Sequence, residues 1–375
     1  MQRQIQSHIK KDLKQKLVLL SGPRQVGKTT LSKQLGLSFD YLNLDSARDT
    51  KTIKEEVWDR EKQLIIFDEL HKTKNWKSWI KGVYDTEGIP PSYLITGSAR
   101  LDVYRKAGDS LSGRYFSYRL HPITVKEALP LMNAQSALER ILTMGGFPEP
   151  FLKNNLTFSK RWRRQHMDTI LREDLIDLER VREIKSVELL VELLRERVGS
   201  PVSYSSLAVD LQVSIPTVKH WLQILENLYV IFSVRPYHKN IARSLLKEPK
   251  YYFYDTGAVD APKGMKLENA IASMLLAELQ HLEDTTGCRT SLHYLRDREK
   301  REVDFCVVID KKPTHLIEVK LSDENFSPHL FHFKQFFKEV TTIQLVHEAT
   351  RSKTKNGVRL MPASQFLENI SLQSN

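Results

Sequence analysis

An α/β fold built on a parallel sheet is predicted by three stretches of this sequence. The apolar run Leu17-Val18-Leu19-Leu20 opens directly into Gly22-Pro23-Arg24-Gln25-Val26-Gly27-Lys28-Thr29-Thr30, with helical periodicity following from Leu31 to Leu35. The run Gln63-Leu64-Ile65-Ile66-Phe67 closes on Asp68-Glu69, and Tyr93-Leu94-Ile95-Thr96 closes on Gly97-Ser98. Near-continuous apolar strands with polar chemistry at their carboxyl ends are what a parallel sheet covered by helices on both faces requires.

The first stretch reads as strand, phosphate-cradling loop and helix. A nucleoside triphosphate needs backbone N–H groups aimed inward, glycines that let the backbone approach, and a fixed ammonium. Gly22, Gly27 and Lys28 answer those needs, and Thr29 adds a hydroxyl for the magnesium that accompanies the phosphates. Residues 22–30 are therefore the expected ATP-binding segment. In the second stretch Asp68 is expected to hold magnesium, with Glu69 polarising the attacking water. Ser98 or Thr96, at the end of the third strand, can sense the γ-phosphate. Arg114, in Leu111-Ser112-Gly113-Arg114, is either a charge-stabilising arginine, from its own subunit or a neighbour, or a surface ion pair.

The chain has 375 residues, 41% of them hydrophobic, enough for two or three domains. No apolar stretch approaches the roughly 18 residues of a membrane span, and the first residues lack a secretory apolar block, so a cytoplasmic location is expected, without a membrane partner. The two cysteines, Cys288 and Cys306, form no metal-type cluster and read as packing residues. A net charge of +11 favours a polyanionic partner: DNA is expected first, RNA second, and a protein partner or a second copy remains an alternative.

Taken in order, residues 1–16 read as an amphipathic helix before the first strand, and Phe39 to Asp45 alternates as a second strand. From Ile123 to about Glu196 the pattern is helical, interrupted at Gly145 to Pro150. Arg161-Trp162-Arg163-Arg164 puts three cations and an aromatic on one helix, either gripping nucleic acid or lying as a solvated face paired with acids such as Glu173 and Asp177. Leu189 to Val198 and Tyr204 to Leu211 read as helices. Ser214 caps a third helix with Pro216 in its first turn, and Val230 to Val234 follows as a β-wing. This helix-turn-helix with a wing would present Thr217, Lys219, His220 and Gln223 to DNA, or serve as scaffold.

Asn43-Leu44-Asp45, Phe67-Asp68-Glu69-Leu70-His71-Lys72, Asn75-Trp76, Tyr84-Asp85, Thr96-Gly97-Ser98, Ser110 to Arg114 and Gly145-Gly146-Phe147-Pro148-Glu149 together resemble archaeal and bacterial AAA+ ATPases fused to a carboxy-terminal domain of unknown function. The resemblance runs from about residue 15 to about 330 and implies an ATP-hydrolysing P-loop domain similar to the STAND-like branch. Ala99-Arg100 departs from the small polar residues commoner there.

In the last third, a helix from Leu267 is followed by strands at His293, Glu302 to Ile309 and Thr314 to Lys320, a helix from Phe326 to Phe337 and a strand from Thr342 to Val346. This order, with Asp304, Glu318 and Lys320, resembles the PD-(D/E)xK nuclease core. In such a core the two carboxylates share a magnesium ion that activates water, the lysine points to the same face, and Glu268 can complete the metal shell. The expected partition is an ATPase core at 1–122, a helical lid at 123–186, a winged helix at 187–240 and a nuclease-like domain at 241–375. Function then divides into two readings. One is an ATPase coupling nucleotide state to nucleic-acid binding, with or without metal-dependent cleavage. The other is an ATP-dependent switch for a protein partner, with an inactive nuclease-like domain.

Overall fold

A computed structural model of the chain describes residues 1–97, 111–174, 183–238, 247–322, 325–337 and 339–372, the side chains of 173 and 174 excepted. The chain divides into two compact units, Met1–His121 and Pro122–Asn375.

The first unit runs α1 (Gln6–Asp12), β1 (Leu17–Ser21), α2 (Lys28–Lys33), β2 (Phe39–Asn43), α3 (Ala47–Glu55), β3 (Leu64–Asp68), α4 (Trp76–Glu87), β4 (Ser92–Gly97) and β5 (Tyr115–Arg119). Among the described residues these strands form one sheet in the order β2-β3-β4-β1-β5, every neighbouring pair parallel. Strands β1, β3 and β4 are buried along their whole length, which is why their sequences are apolar without alternation. On one face Leu17, Leu19, Ile65, Phe67 and Ile95 pack with Trp58, Trp76 and Ile80, and Phe67 meets the rings of Trp58 and Trp79 edge-on, each at 5.4 Å. The strand order places β4 between β1 and β3. Residues at the carboxyl ends of all three strands therefore converge.

The second unit begins with helices: α5 (Val125–Ala128), α6 (Ala134–Met144), α7 (Pro148–Lys153), α8 (Leu156–Thr169), α9 (Ile184–Glu196), α10 (Tyr204–Asp210) and α11 (Ile215–Asn227). Then come β6 (Ile231–Pro236), β7 (Lys250–Phe253), α12 (Lys263–Thr286), β8 (Thr290–Arg296), β9 (Glu302–Ile309), β10 (Lys312–Lys320), α13 (Pro328–Lys334), β11 (Thr341–Val346), β12 (Lys353–Lys355), β13 (Val358–Pro362) and α14 (Ala363–Glu368). Among the described residues these strands make a mixed sheet ordered β12-β13-β11-β10-β9-β8-β6-β7. Helix α12 packs on β7, β8 and β10, burying Leu267, Ala270, Ile271, Met274 and Leu275.

The partition expected at residues 186 and 240 does not appear as separate compact bodies. One hydrophobic cluster runs from Ile123 on the helical side to Leu372 near the terminus. The strand read as a wing, β6, pairs with β7 on one side and β8 on the other, so it belongs to the carboxy-terminal sheet. Side chains add to the joining: Lys126 Nζ donates to the Ile370 carbonyl at 3.1 Å, and His347 Nε2 lies 2.6 Å from Glu139. Local patterning located the elements, but the burial that unites them comes from residues far apart in the chain.

Candidate nucleotide site and acid cluster

The phosphate loop turns on two glycines. Gly22 (φ 147°) and Gly27 (φ 101°) adopt backbone conformations that side chains disfavour, and a Cβ on Gly22 would overlap the Leu120 carbonyl oxygen. Lys28 starts α2 and is buried, with Nζ donating to the carbonyls of Gly22 at 2.9 Å and Pro23 at 2.8 Å. The ammonium thus closes the loop on itself.

Asp68, at the end of β3, is buried and accepts three hydroxyls: Thr29 Oγ1 at 2.8 Å, Tyr41 Oη at 2.6 Å, and Thr96 Oγ1. Burial alone would raise the Asp68 carboxyl, but the hydroxyls of Thr96, Tyr41 and Thr29, with the Lys28 ammonium, outweigh it and hold the group below its ordinary range. The donor set fits magnesium, because an ionised carboxylate and the Thr29 hydroxyl lie within 2.8 Å of each other. Glu69 follows in a left-handed conformation (φ 58°), its N–H held by the Thr96 carbonyl at 3.0 Å. His71 Nε2 lies 3.5 Å from Glu69. Burial, reinforced by the charges of Lys72 and Lys28, holds the imidazole down at about 4, so His71 is neutral at ordinary pH.

Of the other residues expected here, Thr30 follows on α2 with an exposed side chain, and Ser98 lies outside the described residues. Arg114 is placed away from the loop. Leu17 pairs with Tyr115 and Ser21 with Arg119, so Arg114 precedes the end of β5 opposite the loop, about 13 Å along β1 at roughly 3.3 Å per residue. A role for Arg114 within its own nucleotide site is therefore corrected: the side chain forms the surface ion pair, with Asp85 on α4. Sequence reasoning missed Tyr41. Its only local signal is the alternation of β2, which puts Tyr41 and Asn43 on one face beside β3.

In the second unit Asp304 on β9, Glu318 and Lys320 on β10 and Glu268 on α12 do draw together, around a residue that sequence reasoning left out. Lys250, the first residue of β7, is 1% exposed. Its ammonium lies 2.6 Å from Glu302, 3.4 Å from Glu268 and 4.0 Å from Asp304, with the Tyr294 ring 5.3 Å away. Tyr252 donates to Glu268 at 2.7 Å, and the Val319 N–H donates to Asp304 at 2.8 Å. Lys320 pairs with Glu318 at 2.8 Å, while Glu318 Oε2 is buried without a hydrogen-bond partner among the described residues. Burial and then the charge of Asp304 push Glu268 and Glu318 up from the carboxylate range. For Lys250, burial is outweighed by Glu268, Asp304 and Glu302, which raise it and keep it charged. The expected metal shell of Glu268, Asp304 and Glu318 does not fit a divalent ion in this arrangement, because a protein ammonium already sits among the acids. Among the described residues no group of three or more His, Cys, Asp or Glu side chains is disposed to hold a metal.

Residues 14–129 match the family model of an AAA domain. Residues 135–268 match a domain of unknown function (DUF8612), and residues 263–366 another (DUF4143). Similar proteins include an uncharacterized protein of Mycobacterium tuberculosis, 27% identical over 311 residues, which span 79% of this chain and 68% of that one. Uncharacterized proteins of Methanocaldococcus jannaschii (22% identical, 87% of this chain, 79% of that one) and Haemophilus influenzae (22%, 88% and 90%) are also similar. Among solved structures, a Signal Transduction ATPase with Numerous Domains (STAND) protein with a tetratricopeptide repeat sensor from Pyrococcus horikoshii aligns at 14% identity with a TM-score of 0.24. The alignment covers 76% of this chain, which spans about half of that protein (48%). The AAA domain and the phosphate loop coincide, and nucleotide binding is the activity the domain implies.

Helix α11 exposes Lys219, His220 and Gln223 and leaves Thr217 half-buried. The Thr217 hydroxyl meets Ser214 Oγ at 2.8 Å, Lys219 Nζ lies 5.1 Å from the Tyr204 ring, and Gln223 donates to Asn227 at 3.0 Å. In the basic cluster on α8, Arg161 and Arg164 are exposed, and Arg163 is in neither of the two expected arrangements. Arg163 is turned inward to Asp255 at 3.0 Å and the Met144 carbonyl at 2.6 Å, and Trp162 is buried and donates to Glu149 at 3.1 Å. Asp177 lies outside the described residues, as does the Glu173 side chain. Among the described residues no helix is long and apolar enough to cross a membrane.

Proposed function

We propose that the chain binds and hydrolyses ATP with magnesium in its AAA domain and uses nucleotide occupancy to switch a macromolecular contact made by residues 122–375. The observation that carries this reading is the convergence on Asp68 of Thr29 from the phosphate loop and Thr96 from β4. Lys28 would exchange the Gly22 and Pro23 carbonyls for phosphate oxygens. Thr29 and Asp68 would hold magnesium, which neutralises charge on the β- and γ-phosphates. Glu69 would take the role of polarising the attacking water, with neutral His71 beside it.

For the output, a protein partner is the favoured contact. A nuclease core is expected from the sequence alone, yet the acids of the second unit surround Lys250, and Arg163 is committed internally. Nucleic-acid binding is the second reading, favoured by the exposed Lys219, His220 and Gln223 on a capped helix and by the net charge of +11. A steep loss of nucleic-acid affinity with added salt would support it.

The test of the ATPase is a pair of variants. Lys28→Ala should abolish ATP binding, whereas Glu69→Gln should bind ATP and lose turnover. Hydrolysis by Glu69→Gln at the wild-type rate would remove Glu69 from its assigned role, and undiminished binding by Lys28→Ala would remove the loop from its own.

A further inference from the structure

We infer that Lys250 is a built-in cation that occupies the place of a divalent metal in the acid cluster of the second unit, leaving the cluster closed to metal. The inference goes beyond the ATPase reading and does not depend on it. Four carboxyl groups, Glu268, Glu302, Asp304 and Glu318, gather from α12, β9 and β10. Against them stand Lys250, Lys320, paired with Glu318 at 2.8 Å, and Arg296, paired with Glu302 at 3.3 Å. An ammonium has three donors. Those of Lys250 are directed among Glu302 and Glu268, with Asp304 at ion-pair distance and an aromatic face alongside.

The position is held by the backbone as well as by charge. Residue 250 pairs in register with Val234 of β6 and forms an isolated bridge to Pro201, so the ammonium enters the cluster from a backbone position held on both sides. Gly199 (φ 72°) leaves the space that Glu268 fills, because a Cβ there would contact the Glu268 carboxyl group. A divalent ion entering this cluster would meet a fixed positive charge within the reach of its ligands, a repulsion that low-dielectric surroundings strengthen. Removing the charge while keeping the length of the side chain should convert the cluster into a cation site.

The probe is manganese alone, titrated into the nucleotide-free full chain and followed by calorimetry and the paramagnetic signal of free Mn2+. Wild-type binding should be unchanged by Asp304→Asn. Lys250→Met should gain a saturable Mn2+ site that Lys250→Met with Asp304→Asn loses, and Lys250→Gln should reproduce the gain. Circular dichroism and a thermal melt identify the variants that fold. A wild-type Mn2+ site that disappears in Asp304→Asn overturns the inference, as does a folded Lys250→Met or Lys250→Gln without the gain. If neither variant folds, the wild-type comparison decides alone.

Discussion

Asp85 holds Arg114 through both carboxylate oxygens, at 2.7 and 3.1 Å, on an exposed part of the first unit. The bond forms because β5 runs parallel to β1 and so begins where β1 begins, which sets Arg114 next to α4 and away from the phosphate loop. Exposed pairs of this kind contribute little. Arg114→Ala is expected to leave ATP turnover within about twofold of wild type at every protein concentration. Steady-state hydrolysis over a concentration series checks this. A loss of turnover that appears only as copies associate would mean that Arg114 serves a neighbour's site.

The His71 imidazole gives the first unit a pH dependence whose sign is fixed. Its pKa is about 4 when folded, lowered chiefly by burial, against an ordinary 6.5. Between those values the unfolded chain carries the extra proton, so stability rises with pH. The contribution is complete above 6.5 and is lost as the pH falls through 4, amounting to roughly 3 kcal/mol for the full shift. His71→Gln should therefore lose less stability than wild type between about pH 7.5 and about pH 5. Denaturant melts of both proteins at the two pH values measure the difference.

Arg163 makes the opposite kind of contact to the one its basic neighbours suggest. Its ion pair with Asp255 is mostly buried, and truncating one member of such a pair strands the other charge. Arg163→Ala should destabilise the second unit by about 3 kcal/mol, read from its unfolding transition. The salt dependence of any nucleic-acid binding should not change.

How much was legible follows from which contacts are local. The phosphate loop, the buried strands β1, β3 and β4 and the acids at the end of β3 could be read because burial on both faces leaves an apolar run and the chemistry sits at its end. Helix α11 was readable from its cap, since Ser214 accepts the Thr217 N–H. Lys250 was not. It reads as a surface lysine at the start of a strand, and its partners Glu302 and Asp304 lie beyond a long helix and another strand. The same reason hid the joining of β6 to β8, which pairs residues such as Arg235 and His293, and the inward turn of Arg163 to Asp255. Periodicity reports which face of an element is buried, but not which distant charge meets it.

Tyr41 supplies the last prediction. Its hydroxyl donates to Asp68 Oδ2 at 2.6 Å, the oxygen that also accepts Thr29. Were the Thr29 hydroxyl to turn to a bound magnesium ion, Tyr41 and Thr96 would be left to hold the carboxylate in place and ionised. A hydrogen bond to a charged group contributes about 1.5–3 kcal/mol, so Tyr41→Phe should lower kcat/KM for magnesium ATP by roughly tenfold or more. The sign of the pH effect follows from the same bond. Hydroxyl donors help hold the Asp68 carboxyl below its ordinary range, so losing one raises it, and the acid-side fall in turnover should begin at a higher pH in Tyr41→Phe than in wild type. A reduced rate with an unmoved acid limb would assign Tyr41 to packing beneath Lys33, whose ammonium lies 3.6 Å from its ring, and not to the ionisation of Asp68.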